Sequence, residues 1–271
     1  SNKASKKSTG NLVLFVDEKF YIENLKKYIS NSEYIYIKDL KKNIDNKKKI
    51  VLYEVNSKKK IVIVSIKKNI NSSEIESLGA DFYKKVNYGK NSEYSILSDS
   101  IDIKDKNFLG YFLHGLKLKS YEFSKYKTKK ETLNIKLNIL GTKNKPSFES
   151  QLKFKSLEEG TFYARDLVSE PGNVLHPDEY AKRINSLRKD GLKINIYDEK
   201  KLKKLGMHAL LGVGQGSIRG SYLVTMEWNG AKNNSRPLAF VGKGVCFDTG
   251  GYSLKPAKFM EDMTYDMAGS A

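Results

Sequence analysis

Four charged residues near the C-terminal end of the sequence, Lys243, Asp248, Lys255 and Asp266, alternate between basic and acidic. Aspartates without a nearby histidine favour a site of oxygen ligands, and one carboxylate can bridge two close dications. A lysine can bind metal only as the neutral amine, and a nearby double positive charge lowers its pKa and permits this. A second lysine that keeps its proton suits stabilisation of an anion. Each residue alone is more often a solvated surface charge, but the four in this order, bracketed by "GKG" and "DTGG", indicate a metal site.

The segment before these residues predicts how they are positioned. "PLAFVG", residues 237–242, is apolar on both faces, as a central strand covered by helices is. Lys243 follows at its carboxyl end, where open α/β sheets place their ligands. Gly250 and Gly251 permit backbone conformations that other residues avoid, so neighbouring side chains can converge on one centre.

Strands alternating with helices precede this segment and predict an α/β domain with a largely parallel or mixed sheet. Its elements are a helix over about 150–169, a helix opened by Pro177 and ended by Gly191, the strand "LKINIYD", the short helix "EKKLKKLGM" and the strand "SYLVTMEWN". The Gly- and Pro-containing stretch Gly141–Ser150 is the best linker. We therefore expect a disordered basic tail at 1–10, a smaller N-terminal α/β domain at 11–145, and a catalytic domain at 146–271.

The N-terminal domain is predicted from local periodicity. Apolar runs indicate three strands, of which the second and third form a hairpin, and a fourth strand follows later. They are "NLVLFV", "KIVLYEV", "KIVIVSI" and "ETLNIKLNIL". "SSEIESLGADFYKKV" predicts a helix capped by Ser72 or Ser73, and the apolar stripe that begins at Phe108 predicts a buried helix.

The other reactive side chains offer no rival site. His114, His176 and His208 lie far apart in the sequence and lack the spacing of a zinc pair, so each is interpreted as a surface or core residue. The single cysteine, Cys246, excludes a disulfide within this sequence and indicates a reducing compartment. The sequence contains no apolar run of the roughly 18 residues that a membrane span needs, and "SNKASKKSTG" lacks an apolar signal core. We expect a cytoplasmic protein with no membrane partner.

The net charge of +18 allows two interpretations. It could attract nucleic acid or another anionic surface. Alternatively, it reflects compositional drift, because the lysines are spread over most segments and no nucleic-acid-binding motif is recognised. Drift is favoured, and a nucleic-acid partner is kept as the alternative.

Longer motifs resemble one family. "VGKGVCFDTGGYSLKP" and "MEDMTYDMAGSA" resemble the metal-binding signature of the leucine aminopeptidase (cytosol aminopeptidase) family. "ARDLVSEPGNVLHPDEYA" and "LGMHALLGVGQGS" resemble the family's preceding segments in the same order, and "FLHGLKLKSYEFSKYKT" is similar to a helix of its N-terminal domain. The resemblance covers residues 107–271. Two positions depart from the usual pattern: Thr249 replaces a frequent Ser, and Tyr252 a frequent Ile.

The resemblance implies a role for each matched residue. Lys243 would bind one metal as a neutral amine, Asp248 would bridge both metals, and Asp266 would bind the metal that Lys243 binds. Lys255 would stay protonated and hold the developing gem-diolate. Met263 would help to line the pocket for the first side chain of the substrate.

By the same resemblance, the protein would release N-terminal residues, with a leucine-type preference, from peptides by attack of a hydroxide bridging two divalent cations, Mn or Zn. The catalytic domain would be α/β/α with a mixed sheet, and the protein would assemble as a homo-hexamer. In this family a later motif, Asp-Thr-Asp-Ala-Glu-Gly-Arg, supplies further metal ligands, and the sequence to Ala271 does not contain it. We therefore expect the domain and its site to be incomplete in this chain. The alternative function is an inactive scaffold or nucleic-acid-binding module.

Overall fold

A computed structural model describes residues 10–42, 48–88, 91–129, 134–231 and 236–271. The expected basic tail at 1–10 lies outside these residues apart from Gly10. The chain divides into two compact units, one up to Phe162 and one from Tyr163 onward. The division falls inside a helix, and the predicted domain boundaries stay a prediction.

The first unit contains a five-stranded mixed sheet. In the order β2-β3-β1-β4-β5, strands β1, β3, β4 and β5 are parallel and β2 is antiparallel to β3. The strands are β1 (Asn11–Asp17), β2 (Ile50–Asn56), β3 (Lys59–Ile66), β4 (Asn91–Leu97) and β5 (Asn134–Leu140). The predicted hairpin and the α/β class are confirmed.

Both faces of this sheet are buried because its central strand is apolar on both sides. In β1, Val13 and Phe15 contribute to one core, together with helices α2 (Ser72–Val86) and α3 (Phe108–Lys119). Leu12 and Leu14 point the other way, as the two-residue period of a strand requires, towards α1 (Asn31–Lys41). A 3-10 turn at Glu23–Lys27 precedes α1.

Helix α2 begins one residue earlier than predicted. Its cap is Asn71, whose side chain accepts a hydrogen bond from the backbone N–H of Glu74 at 2.9 Å. The Glu74 carboxylate in turn accepts from the backbone N–H of Asn71 at 3.1 Å. The expected cap at Ser72 or Ser73 is wrong, because Asn71 forms the reciprocal capping box with Glu74, three residues after it.

Helices α2 and α3 approach each other through two glycines. A Cβ atom on Gly79 would lie 1.9 Å from the carbonyl oxygen of Phe112, and one on Gly115 would lie 1.9 Å from that of Glu76. Both distances are far below van der Waals contact. Each helix therefore presents a glycine to the backbone of the other, which brings the buried stripe of α3 onto the sheet.

The second unit is built from short elements around a small core. Strands β6 (Lys193–Tyr197) and β7 (Leu223–Glu227) pair antiparallel, which the predicted largely parallel or mixed sheet allows. The helices are α4 (Phe148–Ser169), which spans the division between the units, α5 (Pro177–Ser186), α6 (Glu199–Lys204), α7 (His208–Gly214) and α8 (Ala257–Met260). A 3-10 turn follows α5 and ends at Gly191, which has a φ of 91°, as the sequence predicted. None of the helices in the described ranges is long and apolar enough to cross a membrane.

The strand expected over residues 237–242 is not formed. Leu238, Phe240 and Val241 are 80%, 88% and 100% exposed, although their apolar character predicted a central position. A strand needs a neighbour for its backbone hydrogen bonds, and in the described part of this unit only β6 and β7 pair with each other. Lys243 therefore follows an exposed segment without regular secondary structure instead of a sheet edge.

Candidate metal centre

The four predicted site residues form two ion pairs. Lys243 Nζ lies 2.6 Å from Asp266 Oδ1, and Lys255 Nζ lies 2.7 Å from Asp248 Oδ2. In the first pair the aspartate follows the lysine in the sequence, and in the second pair it precedes the lysine. The sequence predicted that these residues serve one site, and the structure shows which lysine contacts which carboxylate.

Asp266 has an oxygen without a partner. Its side chain is only 14% exposed, Oδ1 accepts from Lys243, and Oδ2 is buried with no hydrogen bond. An unsatisfied buried carboxylate oxygen costs free energy unless a cation or donor reaches it. The second oxygen is therefore a free ligand position beside the Lys243 amine.

Asp248 is held in its ionised form by its surroundings. The Lys255 ammonium, the backbone N–H of Gly250 at 2.8 Å from Oδ1, and the more distant charge of Lys243 keep the pKa of this carboxyl below its usual range. Of these groups, Lys243 has the smallest effect on the pKa. An ionised carboxylate is the form that binds a divalent cation.

A glycine turn brings Lys255 back to Asp248. Gly250 and Gly251 have φ values of 92° and 67°, as the sequence predicted for the pair. The backbone N–H of Lys255 donates to the Thr249 carbonyl at 2.8 Å, which closes the turn. A Cβ on Gly250 would lie 2.3 Å from the Ser253 carbonyl oxygen, so this position also has no room for a side chain.

Met263 lies beside the same lysine. Lys255 Nζ approaches Met263 Sδ at 3.0 Å and also donates to the Asp248 carbonyl at 3.3 Å. The thioether is a weak acceptor, so it leaves the lysine proton available to a stronger one. The residue that was predicted to line a pocket is thus adjacent to the predicted anion-holding group.

Two buried residues anchor the segments that carry the site. Cys246, between Lys243 and Asp248, and Met267, directly after Asp266, are 6% and 0% exposed and belong to the same core. Burial raises the pKa of the Cys246 thiol to about 11, so the thiol stays protonated and acts as an apolar anchor.

Two contacts near the site had no signal in the sequence. Tyr180 contacts Ser270 through a hydrogen bond of 2.9 Å between the hydroxyls. A Cβ on Gly172 would lie 3.1 Å from Phe247 Cβ, so the loop after α4 supports the residue before Asp248. These residues are distant in the chain, and no local spacing relates them.

The histidines do not contribute to this centre. His114 is a core residue, 3.2 Å from Glu158, while His208 is exposed at the start of α7. His176 caps α5 and lies 3.2 Å from Asp178. In the described ranges, His, Cys, Asp and Glu form no group of three or more that could hold a metal. The predicted set Lys243, Asp248 and Asp266 differs from such a group because one of its members is a lysine, which binds metal only as the neutral amine.

Comparison with known proteins identifies the family. Residues 162–271 match the catalytic domain of the cytosol aminopeptidase family. A probable cytosol aminopeptidase from Nitrobacter winogradskyi is 40% identical over 219 residues, which are 78% of this chain and 44% of that protein. One from a Bradyrhizobium species is 48% identical over 161 residues, 58% of this chain and 32% of that protein. Residues 162–271 therefore belong to the cytosol aminopeptidase family.

Solved structures share the fold. The cytosol aminopeptidase from Coxiella burnetii has a TM-score of 0.73 at 20% identity, over 98% of this chain and 54% of that one. The bottromycin maturation enzyme BotP, solved in complex with Mn, has a TM-score of 0.72 at 19% identity, over 97% of this chain and 54% of that one. The likeness confirms the predicted α/β aminopeptidase fold. The chain spans less than half the length of these curated family members and about half that of the solved structures.

Proposed function

We propose that this chain carries residues of a leucyl-type, metal-dependent aminopeptidase centre that releases N-terminal residues from peptides. Family membership supports the reaction class. The observation that carries the proposal is the pairing of Lys243 with Asp266, whose second carboxylate oxygen is buried without a partner. An amine and a free carboxylate oxygen at one point are two ligands for the same cation.

Lys243, Asp248 and Asp266 would hold the metal. We propose two divalent cations, Mn or Zn, and Asp248 would help to hold both, as its place in the matched family segment implies. The structure of BotP in complex with Mn supports a divalent ion in a protein of this fold. When bound, the cations supply Lewis-acid activation of water and of the scissile carbonyl.

Lys255 would stabilise negative charge that develops on the substrate. Its ammonium is oriented by Asp248 at 2.7 Å and by the Asp248 carbonyl at 3.3 Å. A preoriented donor of this kind lowers the barrier because it needs no reorganisation as the charge appears. Met263, at 3.0 Å from the same nitrogen, would contact the first side chain of the peptide.

The proposed aminopeptidase function also implies a class of substrate, an oligomeric assembly and a cellular location. We propose peptides with a free amino terminus as substrates, a homo-hexameric assembly and a cytoplasmic location. The word "cytosol" in the names of the relatives supports the location.

The proposal is tested by titrating the 271-residue chain with Mn²⁺ and following the free ion by electron paramagnetic resonance. We expect Asp266→Asn to weaken binding by about tenfold or more, because it neutralises a ligand. Asp190→Asn, the same change at an exposed position of the second unit, is the matched control and should bind like the unmodified chain. Equal Mn²⁺ affinity in Asp266→Asn and Asp190→Asn would contradict the proposed centre. Hydrolysis of a leucyl amide by the complete protein, lost in Asp248→Ala, tests the reaction itself.

A further inference from the structure

We infer that Tyr180 is a positioning residue: through Ser270, its hydroxyl holds the Lys243 segment against the turn that follows Asp266. Tyr180 lies on α5, and its described side-chain hydrogen bond is to Ser270 rather than to either lysine of the candidate centre. Its effect is exerted on the backbone of both segments that the Lys243–Asp266 pair joins.

The hydrogen bonds around Ser270 have a direction. Ser270 Oγ donates to the Met267 carbonyl at 3.0 Å and lies 2.9 Å from the Tyr180 hydroxyl. A serine hydroxyl has one proton, so when it serves Met267, Tyr180 must donate to Ser270. Burial raises the pKa of Tyr180, which keeps its proton in place for this bond. The chain of donors therefore runs from Tyr180 to Ser270 to the carbonyl of the residue after Asp266.

Ser270 also contacts the segment that carries Lys243. A Cβ on Gly242 would lie 2.6 Å from Ser270 Cα and 2.5 Å from the Gly269 carbonyl oxygen. A Cβ on Gly244 would lie 3.1 Å from Ser270 Oγ. The glycines on either side of Lys243 thus lie directly against the backbone at 269–270, and Ser270 fixes the distance between the two segments.

Tyr180 is rigid enough for this role. It is 5% exposed and belongs to the core that contains Cys246 and Met267, the anchors of the two segments. If Tyr180 lacked its hydroxyl, Ser270 would lose its only described side-chain partner. The ring at position 180 could keep its apolar contacts. The two segments would then be held together only by the close backbone contacts at Gly242 and Gly244 and by the core that Cys246 and Met267 share.

Carbodiimide coupling tests the geometry without metal. A zero-length carbodiimide joins an amine to a carboxylate in contact, and mass spectrometry identifies the linked peptides. The unmodified chain should yield both the Lys243–Asp266 and the Lys255–Asp248 link. In Tyr180→Phe the first link should fall by about threefold relative to the second, since one hydrogen bond is lost. Ser270→Ala should behave in the same way.

Tyr163→Phe is the matched control. The Tyr163 hydroxyl also makes one hydrogen bond, of 3.1 Å to the Arg183 carbonyl, and its side chain borders the same core. Its removal should leave the ratio of the two links unchanged. A ratio that stays the same in both Tyr180→Phe and Ser270→Ala, or an unmodified chain that gives only the Lys255–Asp248 link, would overturn the inference.

Mn²⁺ titration of the same variants connects this inference to the proposed function, on which its metal-binding part rests. Tyr180→Phe should weaken Mn²⁺ binding by about threefold, whereas Tyr163→Phe should not. A chain that forms the links in the expected ratios but binds no Mn²⁺ would refute the proposed metal centre and leave the positioning role of Tyr180 standing. Mn²⁺ binding that is unchanged in Tyr180→Phe, together with unchanged links, would refute the positioning role alone.

Discussion

Lys243 and Asp266 are 23 positions apart in the sequence, yet Nζ and Oδ1 lie 2.6 Å from each other. The lysine side chain is 57% exposed and the aspartate 14%, so the carboxylate is fixed while the amine reaches it from solvent. The remaining oxygen of Asp266 has no partner. This asymmetric pair is the most direct structural sign of a cation site in the described part of the chain.

Exchange of each lysine for methionine should separate their roles. Lys243→Met removes a proposed ligand and should weaken Mn²⁺ binding by about tenfold or more. Lys255→Met makes the same change of charge, but this lysine competes with a cation for Asp248, so binding should not weaken. Electron paramagnetic resonance titration of both variants measures the difference. Equal loss in both variants would show that charge alone, and not ligation by Lys243, controls affinity.

The turn at Gly250 should tolerate no side chain. Gly250→Ala places a methyl group 2.3 Å from the Ser253 carbonyl at a φ of 92°, and should lower the free energy of unfolding by about 1–3 kcal/mol. Gly251→Ala also has a positive φ, of 67°, but meets no atom within 4 Å, so it should cost only the conformational strain, about 1 kcal/mol. Urea unfolding measures both. A larger loss in Gly251→Ala than in Gly250→Ala would show that steric contact does not limit this turn.

The glycine contacts between α2 and α3 should be essential for the stability of the first unit. Gly79→Ala and Gly115→Ala each force a methyl group onto a backbone carbonyl at 1.9 Å, so each should destabilise by about 3 kcal/mol or more. Gly160→Ala is the control, because a methyl group on this exposed glycine of α4 would meet no atom within 4 Å. It should be neutral or stabilise by up to about 1 kcal/mol through helix propensity. Denaturant unfolding of the three variants measures these changes in stability. Equal stabilities would argue against close contact between α2 and α3.

Cys246 should make stability depend on pH in the alkaline range. Its pKa is raised from 9.0 to about 11 by burial, so the folded chain keeps the thiol protonated where the unfolded chain ionises it. The thiol's contribution is fully present below about pH 9 and is lost as the pH rises towards about 11. Urea unfolding at several pH values, compared between the unmodified chain and Cys246→Ala, separates the effect of the thiol on stability from that of tyrosine ionisation. A pH dependence that is identical in both chains would place the thiol in contact with solvent.

The first unit was largely predictable because its signals are local. The strand β1 alternates between two buried faces, and α3 repeats apolar residues at helical spacing, so each element shows its own period. The cap of α2 was misplaced, because Asn71, Ser72 and Ser73 can all cap a helix. Helix α1 and strand β4 were not predicted. Such elements can be predicted from the sequence because their periodicity is local.

The second unit shows where such reasoning fails. "PLAFVG" has the composition of a central strand, but a strand is defined by a neighbour that takes its hydrogen bonds, and composition does not supply the neighbour. Leu238 and Phe240 are therefore exposed in spite of their apolar side chains. The alternation of strands with helices predicted a largely parallel or mixed sheet, and it did not specify that β6 and β7 pair antiparallel.

The sequence alone determined which residue types could form the centre, their order, and the glycine turn between Asp248 and Lys255, because these depend on chemistry and on short-range backbone freedom. The tertiary structure decided that Lys243 faces Asp266, that one oxygen of Asp266 stays unpaired, and that Tyr180 reaches Ser270. Such contacts join residues far apart in the chain, and they arise only when a common core, here Cys246 with Met267, brings the segments together.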